Sequence, residues 1–268
     1  MAQQRSTSRG NHRSAVYSYV RERNLANKAV VAVVLLGSWQ LGSQFFPYYV
    51  LPGVLELVEA TRTVIENPEF GTFWGNIGDT FGRLLVGFVV SVVVGAVIGT
   101  AMGLREEVEA FFRSWLVLGL SVPAIAVAFA LIIAIGISEL VPILTVVVVG
   151  VPFVILNMWE GTQDVDQEIG EMADFFGAGR YQRVRDILLP QLLQYLFPSM
   201  YWGLVVSWKV LFIAEVFGAG SGVGYMVNYW FQQQRVDLLL GWVVVPVILI
   251  ILAQEGLRAA EHRVIDWR

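Results

Sequence analysis

A chain of 268 residues that is 56% hydrophobic and only 15% charged, with a mean hydropathy of +0.62, lies well on the apolar side of a soluble domain. With no cysteine it forms neither a disulfide nor a thiolate metal site, and its two imidazoles, His12 and His262, stand in charged flanks, so metal and thiol chemistry are excluded. The net charge of -4 conceals a segregation of sign along the chain that bears on membrane orientation.

Residues 1–28 read as a basic polar tail, too long for the n-region of a signal peptide, so the apolar stretch after it reads as an uncleaved anchor. Six stretches are apolar enough to cross a core of about 30 Å. They are approximately Ala29 to Phe46, Leu84 to Leu104, Trp115 to Ile137, Leu140 to Met158, Pro198 to Phe217 and Leu238 to Ala253. Between the first two, Val54, Leu57, Val58, Thr61 and Ile65 recur at helical spacing, which predicts an interfacial helix followed by Phe70, Phe73 and Trp74 at headgroup depth.

Basic residues concentrate on alternate connections. With the N-terminus inside, the inner segments hold Arg105, Arg113, Arg180, Arg183, Arg185, Arg258 and Arg263, while the outer loops hold only Arg62, Arg83 and Arg235. Both termini and residues 159–197 are therefore expected in the cytoplasm of a multi-pass plasma-membrane protein.

Within the spans, Gly87, Ser91, Gly95, Gly99 and Gly103 fall every fourth residue and make a ridge without bulk, suited to close helix packing within one subunit or between two. Pro123, Pro142, Pro152 and Pro246 are expected to bend their helices. Lys209 and Glu215 are the charges embedded in the fifth apolar stretch, about 240° apart on a helix and so on different faces. Pro123, Lys209 and Glu215 are candidates for a gate or path; Glu215 has the alternative of a solvated carboxylate at the outer end of its span. The glycine-rich run Gly218 to Tyr225 lacks the GxGxxG spacing and follows an apolar helix, so it reads as a flexible break, and no GxxxxGK[ST] occurs anywhere.

Glu171 to Pro190 is a charged interruption in this apolar sequence. Ile169, Met172, Ala173 and Phe176 form one helical face; Tyr181, Val184, Ile187 and Leu188 form a second after Gly177-Ala178-Gly179. Two short amphipathic helices at an angle are predicted, either bracing the membrane domain or presenting their turn to a soluble partner.

Glu171, Ala173, Gly177, Ile187, Leu189 and Pro190 match, at fixed offsets, the pattern E-A-A-x3-G-x9-I-x-L-P. The chain resembles in this the permease subunits of ATP-binding-cassette importers that carry an EAA loop. The stretches "LPGV", "GRLLVGF", "SVPAIAVAFALIIAIGISE" and "SWKVLFIAEVFGAGSGVGYM" extend the resemblance from about Leu51 to the C-terminus, most like the nitrate, sulfonate and taurine branch. Met172 replaces the second Ala of the motif, and Gly179 stands where the family often has Ser as a helix cap.

The resemblance implies an all-α integral membrane protein of the type I importer permease fold, with about six transmembrane helices, a cytoplasmic EAA helix pair and a path for a small nitrate-, sulfonate- or taurine-like solute or a small heterocycle. It implies a second permease copy, taken as a homodimer, two ATPase subunits that carry the ATP and magnesium, and an external solute-binding protein; the chain holds no cofactor and is not itself an enzyme, and nucleic acid is not among its partners. Glu171, Ala173, Phe176, Gly177, Ile187, Leu189 and Pro190 become the ATPase-docking residues, with Gly177 as the turn. The competing class, an ion-gradient transporter or channel, would need more intramembrane titratable groups or repeat symmetry than the sequence offers.

Overall fold

The computed structural model describes residues 27, 30–66, 72–164, 172, 175 and 177–265. Helices α1 (Val30–Ser43), α2 (Val54–Glu66), α3 (Phe73–Leu104), α4 (Glu106–Ser121), α5 (Ala124–Ile135) and α6 (Leu140–Gln163) come first. A single turn at Arg180–Gln182 leads into α7 (Arg183–Gly218), followed by α8 (Val223–Gln232) and α9 (Val236–Ile265). No strand occurs among the described residues.

Of the expected spans, α3, α6, α7 and α9 are single helices long and apolar enough to cross a membrane. The third, expected as one helix over Trp115 to Ile137, is instead α4 and α5 meeting at a bend of 96°. Pro123 causes the break: it is the extended N-cap of α5, and a residue before proline is driven out of the α region, as Val122 is with ψ 126°. The described part of the first span is short, because Gln44 to Phe46 leave the helix in turns.

The second span begins earlier than its apolar run. Thr72 Oγ1 accepts the Gly75 N–H at 3.0 Å and caps a helix that starts at Phe73, not Leu84. Arg83, assigned above to an outer loop, consequently lies inside α3 and is 4% exposed. Phe73, expected at headgroup depth, is buried against Trp242, ring centroids 4.9 Å apart. α2 forms where predicted but buries Ala60 and Val64 on α9, leaving Val58 and Ile65 of the expected stripe exposed. Close approach of backbones sets that choice: a Cβ at Gly241 would lie 3.0 Å from the Ala60 carbonyl carbon.

α3 and α6 pack along the small-residue ridge. A Cβ would meet Val146 Cγ1 at 2.8 Å from Gly87 and Ile155 O at 2.6 Å from Gly99, with Val154 and Thr162 opposite Gly95 and Gly103. Ser91 donates its hydroxyl to Gly87 O at 2.8 Å and also reaches Val146 O of α6 at 3.3 Å, so its polarity is met within α3 and across the ridge. The ridge is thus occupied by packing inside one subunit. Leu84, Phe88, Val146, Leu204, Leu211 and Ile250 then join α3, α6, α7 and α9 into one core. Pro152 and Pro246 sit inside helices, whereas Pro142 falls in the first turn of α6, where its missing N–H costs no bond.

Two outer faces are purely aliphatic. Leu85, Val86, Val89, Val93 and Val97 on α3, and Val247, Ile248, Ile251 and Leu252 on α9, are exposed without an intervening charge. Stripes of this length and composition are suited to face lipid.

Candidate coupling turn and buried charge cluster

At one end of the bundle the break between α7 and α8 is bound by side chains from α3. Gly222 N–H donates to Asn76 Oδ1 at 2.7 Å and Val223 N–H to Thr80 Oγ1 at 2.8 Å. Arg83 Nη1 donates to Ser221 O at 2.9 Å and Nη2 to Ser221 Oγ at 2.7 Å, while Ser221 Oγ donates to Asp79 Oδ2 at 2.7 Å. Three successive backbone donors at the start of α8 are therefore engaged, because Gly224 N–H also donates, to Glu215 Oε2 at 3.1 Å.

Glu215 is the centre of this arrangement. It is fully buried and accepts from Thr80 Oγ1 at 2.9 Å and Arg83 Nη1 at 2.5 Å. Glu215 is thus no solvated interface group: its α7 position brings it inward, beneath the α8 N-terminus, where the helix dipole favours an anion. The guanidinium also reaches the α5–α6 turn, donating from Nε to Glu139 Oε2 at 2.6 Å. Ser138 N–H donates to Gly218 O at 3.1 Å, tying the α5–α6 turn to the end of α7 by backbone. One arginine fork thereby clamps three segments.

The glycine-rich run is a break, as expected, but a pinned one. Gly222 has φ +103° and a Cβ there would lie 2.6 Å from Glu215 Oε1 and 2.7 Å from Arg83 Nη1, so both backbone and space demand glycine. Of the α3 residues in this cluster only Arg83 is named from the sequence, as an outer-loop charge, and none of them is assigned to a site. The signal was present nonetheless: Asn76, Asp79, Thr80 and Arg83 stand at i, i+3, i+4 and i+7, one polar face of a helix whose start the apolar run hides.

At the opposite end lies the charged interruption. Glu171, Ala173 and Phe176 are outside the described residues; Met172 and Phe175 are exposed, Phe175 at 87%. Gly177 has φ +72° and nothing within 4 Å of an added Cβ, so its glycine serves backbone conformation and not close packing. Gly179 then starts the next helix. Gln182 Oε1 accepts the Gly179 N–H at 2.9 Å and Arg183 N–H donates to Gly179 O at 3.0 Å, half of a capping box.

Ile187 and Leu188 lie in a π-helical turn, Arg183–Leu188, in which Leu189 N–H donates to Val184 O five residues back. Pro190, next in the chain, has no N–H to give, and the wider turn resolves that deficit. Leu188 docks with Leu192 and Tyr195 against Val154 and Met158, whereas Leu189 is half exposed and Tyr181 is 73% exposed. The second helix is thus anchored on the bundle, while Gly177 is exposed.

Lys209 lies apart from both. It is exposed on α7, on a different face from buried Glu215, as their spacing predicted. Pro123 is at the α4–α5 bend, as the N-cap of α5.

Known proteins fit this architecture. The chain is 28% identical over 240 residues to the taurine transport system permease protein TauC of Escherichia coli, covering 88% of this chain and 87% of that one. It is 24% identical to the putative aliphatic sulfonates transport permease protein SsuC of Bacillus subtilis, covering 89% and 86%. It is 23% identical to the nitrate import permease protein NrtB of Synechocystis, covering 88% of each. A chain of the inward-facing MetNI methionine ABC transporter superposes with a TM-score of 0.61 at 19% identity, covering 69% of this chain and 93% of that one, which establishes the shared fold. The model of the family described as binding-protein-dependent transport system inner membrane component matches residues 91–254, so the chain belongs to that family of permeases of ATP-binding-cassette importers.

Proposed function

We propose that this chain forms the translocation path of an ATP-driven importer for a small solute that is or carries an oxyanion, of the sulfonate, taurine or nitrate kind, the solutes named for its relatives. An external binding protein delivers the solute. Two ATPase subunits, which hold the ATP and magnesium, engage the EAA loop, and a second copy of the chain closes the path. The end bearing Arg105, Arg183, Arg185 and Arg258 faces the cytoplasm with both termini, and the end bearing Glu139, Glu215 and Ser221 faces out.

The observation that carries this reading is the Gly177 turn. A positive-φ glycine with nothing within 4 Å of an added Cβ, near exposed Met172 and Tyr181 and followed by a capped helix, supports a projecting turn over a brace folded onto its own domain. Closure of the ATPase pair on ATP would be passed along α7, continuous from Arg183 to Gly218, to the clamped break at the other end. ATP and the loaded binding protein each favour the outward-facing state by binding it preferentially.

Two measurements test the reading. Uptake of taurine or nitrate into proteoliposomes should require both ATP and the ATPase subunits; uptake without either would return the chain to the gradient-driven class. Gly177→Asp should abolish co-purification of the ATPase while the chain stays membrane-inserted, and undiminished co-purification would reject the docking role.

A further inference from the structure

Lys209 is nine residues before Gly218, the end of α7. At about 1.5 Å per residue that is roughly 13.5 Å, close to half of a core of about 30 Å. Its side chain is exposed and makes no hydrogen bond or ion pair among the described residues. Glu215 offers no compensation, because it is buried on another face and engaged by Arg83. An ammonium at this depth cannot face hydrocarbon without large cost, so it needs water or a partner.

The surrounding face differs from the two lipid-facing ones. Trp202, Val206, Lys209, Ile213 and Phe217 follow one another at i, i+4, i+7, i+11 and i+15, an exposed or half-buried stripe opposite the buried Leu204, Leu211 and Glu215. Phe217 meets Phe129 of α5 at 5.2 Å, which continues the face across the bent helix pair. The exposed stripes of α3 and α9, by contrast, are aliphatic throughout. One face of the bundle therefore carries a lone cation among aromatics, while these two carry none.

We propose that Lys209 lines the wet path at mid-depth and acts as the transient counter-cation for an oxyanion in transit. The ammonium is a compact charge with three donors, able to hold a sulfonate or nitrate oxygen without a fixed geometry and to release it. A second copy across the path would bring a second ammonium to the same level. This inference rests on the permease reading and assigns the charge selectivity of its path to one residue.

The absence of cysteine makes a direct test available, since any introduced thiol is unique in the chain. In the full complex in native membranes, Ile213→Cys, one turn from Lys209, should react with water-soluble anionic and cationic methanethiosulfonates, while Val89→Cys on the aliphatic face of α3 should not. Adding Lys209→Gln to the Ile213→Cys variant should lower the ratio of anionic to cationic reaction rates at its thiol by about tenfold, and Lys209→Arg should preserve it. Lys209→Cys gives a second thiol on the stripe that does not depend on the Ile213 substitution. Thiols at 209 and 213 as unreactive as that at 89, or a rate ratio unmoved by Lys209→Gln, would overturn the proposal. ATP-driven uptake of taurine and nitrate by the unmodified complex is read separately: uptake independent of ATP would sink the importer reading while leaving Lys209 in a wet path.

Discussion

Removing the charge of Glu215 tests whether the buried clamp stabilises the fold. Glu215→Gln keeps the volume and one acceptor oxygen, but its amide NH2 must face Arg83, the Thr80 hydroxyl or the Gly224 N–H, which now act as donors toward the carboxylate. At least one donor then points at another donor, and Arg83 retains only the largely exposed Glu139 as a charged partner. A hydrogen bond to a charged group contributes about 1.5–3 kcal/mol, and breaking a buried ion pair costs about 3–5 kcal/mol. Because Gln preserves part of the network, a loss of about 2–4 kcal/mol is expected.

The double variant Arg83→Met/Glu215→Leu removes both charges and should be less destabilised than the sum of the two single changes, by about 2 kcal/mol or more. Unfolding in mixed micelles of SDS and a mild detergent, followed by the fluorescence of the nine tryptophans, gives the four values of the cycle. A loss under about 1 kcal/mol for Glu215→Gln, or strict additivity, would refute the claim that the pair is energetically coupled.

The two legs of the clamp should differ. Glu139→Gln, at a carboxylate 64% exposed, should cost under about 1 kcal/mol in the same assay, since solvent screens that leg. In α3, Gly99→Ala would place its methyl 2.6 Å from Ile155 O and should destabilise by about 1–3 kcal/mol, while Gly78→Ala, with nothing within 4 Å, should be neutral or slightly stabilising. Equal effects of those two alanines in the same titration would rule out the ridge as the α3–α6 contact.

Much of the molecule was legible because its signals are local. Continuous apolar length revealed α6 and most of α3, α7 and α9; fixed motif spacing carried the family resemblance; and the Gly177 turn followed from a glycine between two helical faces. Helix ends were less legible, since hydropathy falls where polar residues continue a helix, as at Asn76, Asp79 and Arg83 in α3. A bend at Pro123 was legible but its size was not, because a proline can kink a single span and only the chain path shows this one redirecting the helix by 96°.

The amino-acid sequence alone determined that this is a helical membrane permease, because hydrophobic length and motif spacing are properties of contiguous residues. Tertiary structure decided which charges are buried and with what partner. Arg83 and Glu215 are 132 residues apart in the chain, and nothing near either one specifies the other. Their burial is tolerable only because α3, the α5–α6 turn and the α7–α8 break converge, so that a charge each segment would otherwise expose is met by donors and acceptors from the other two.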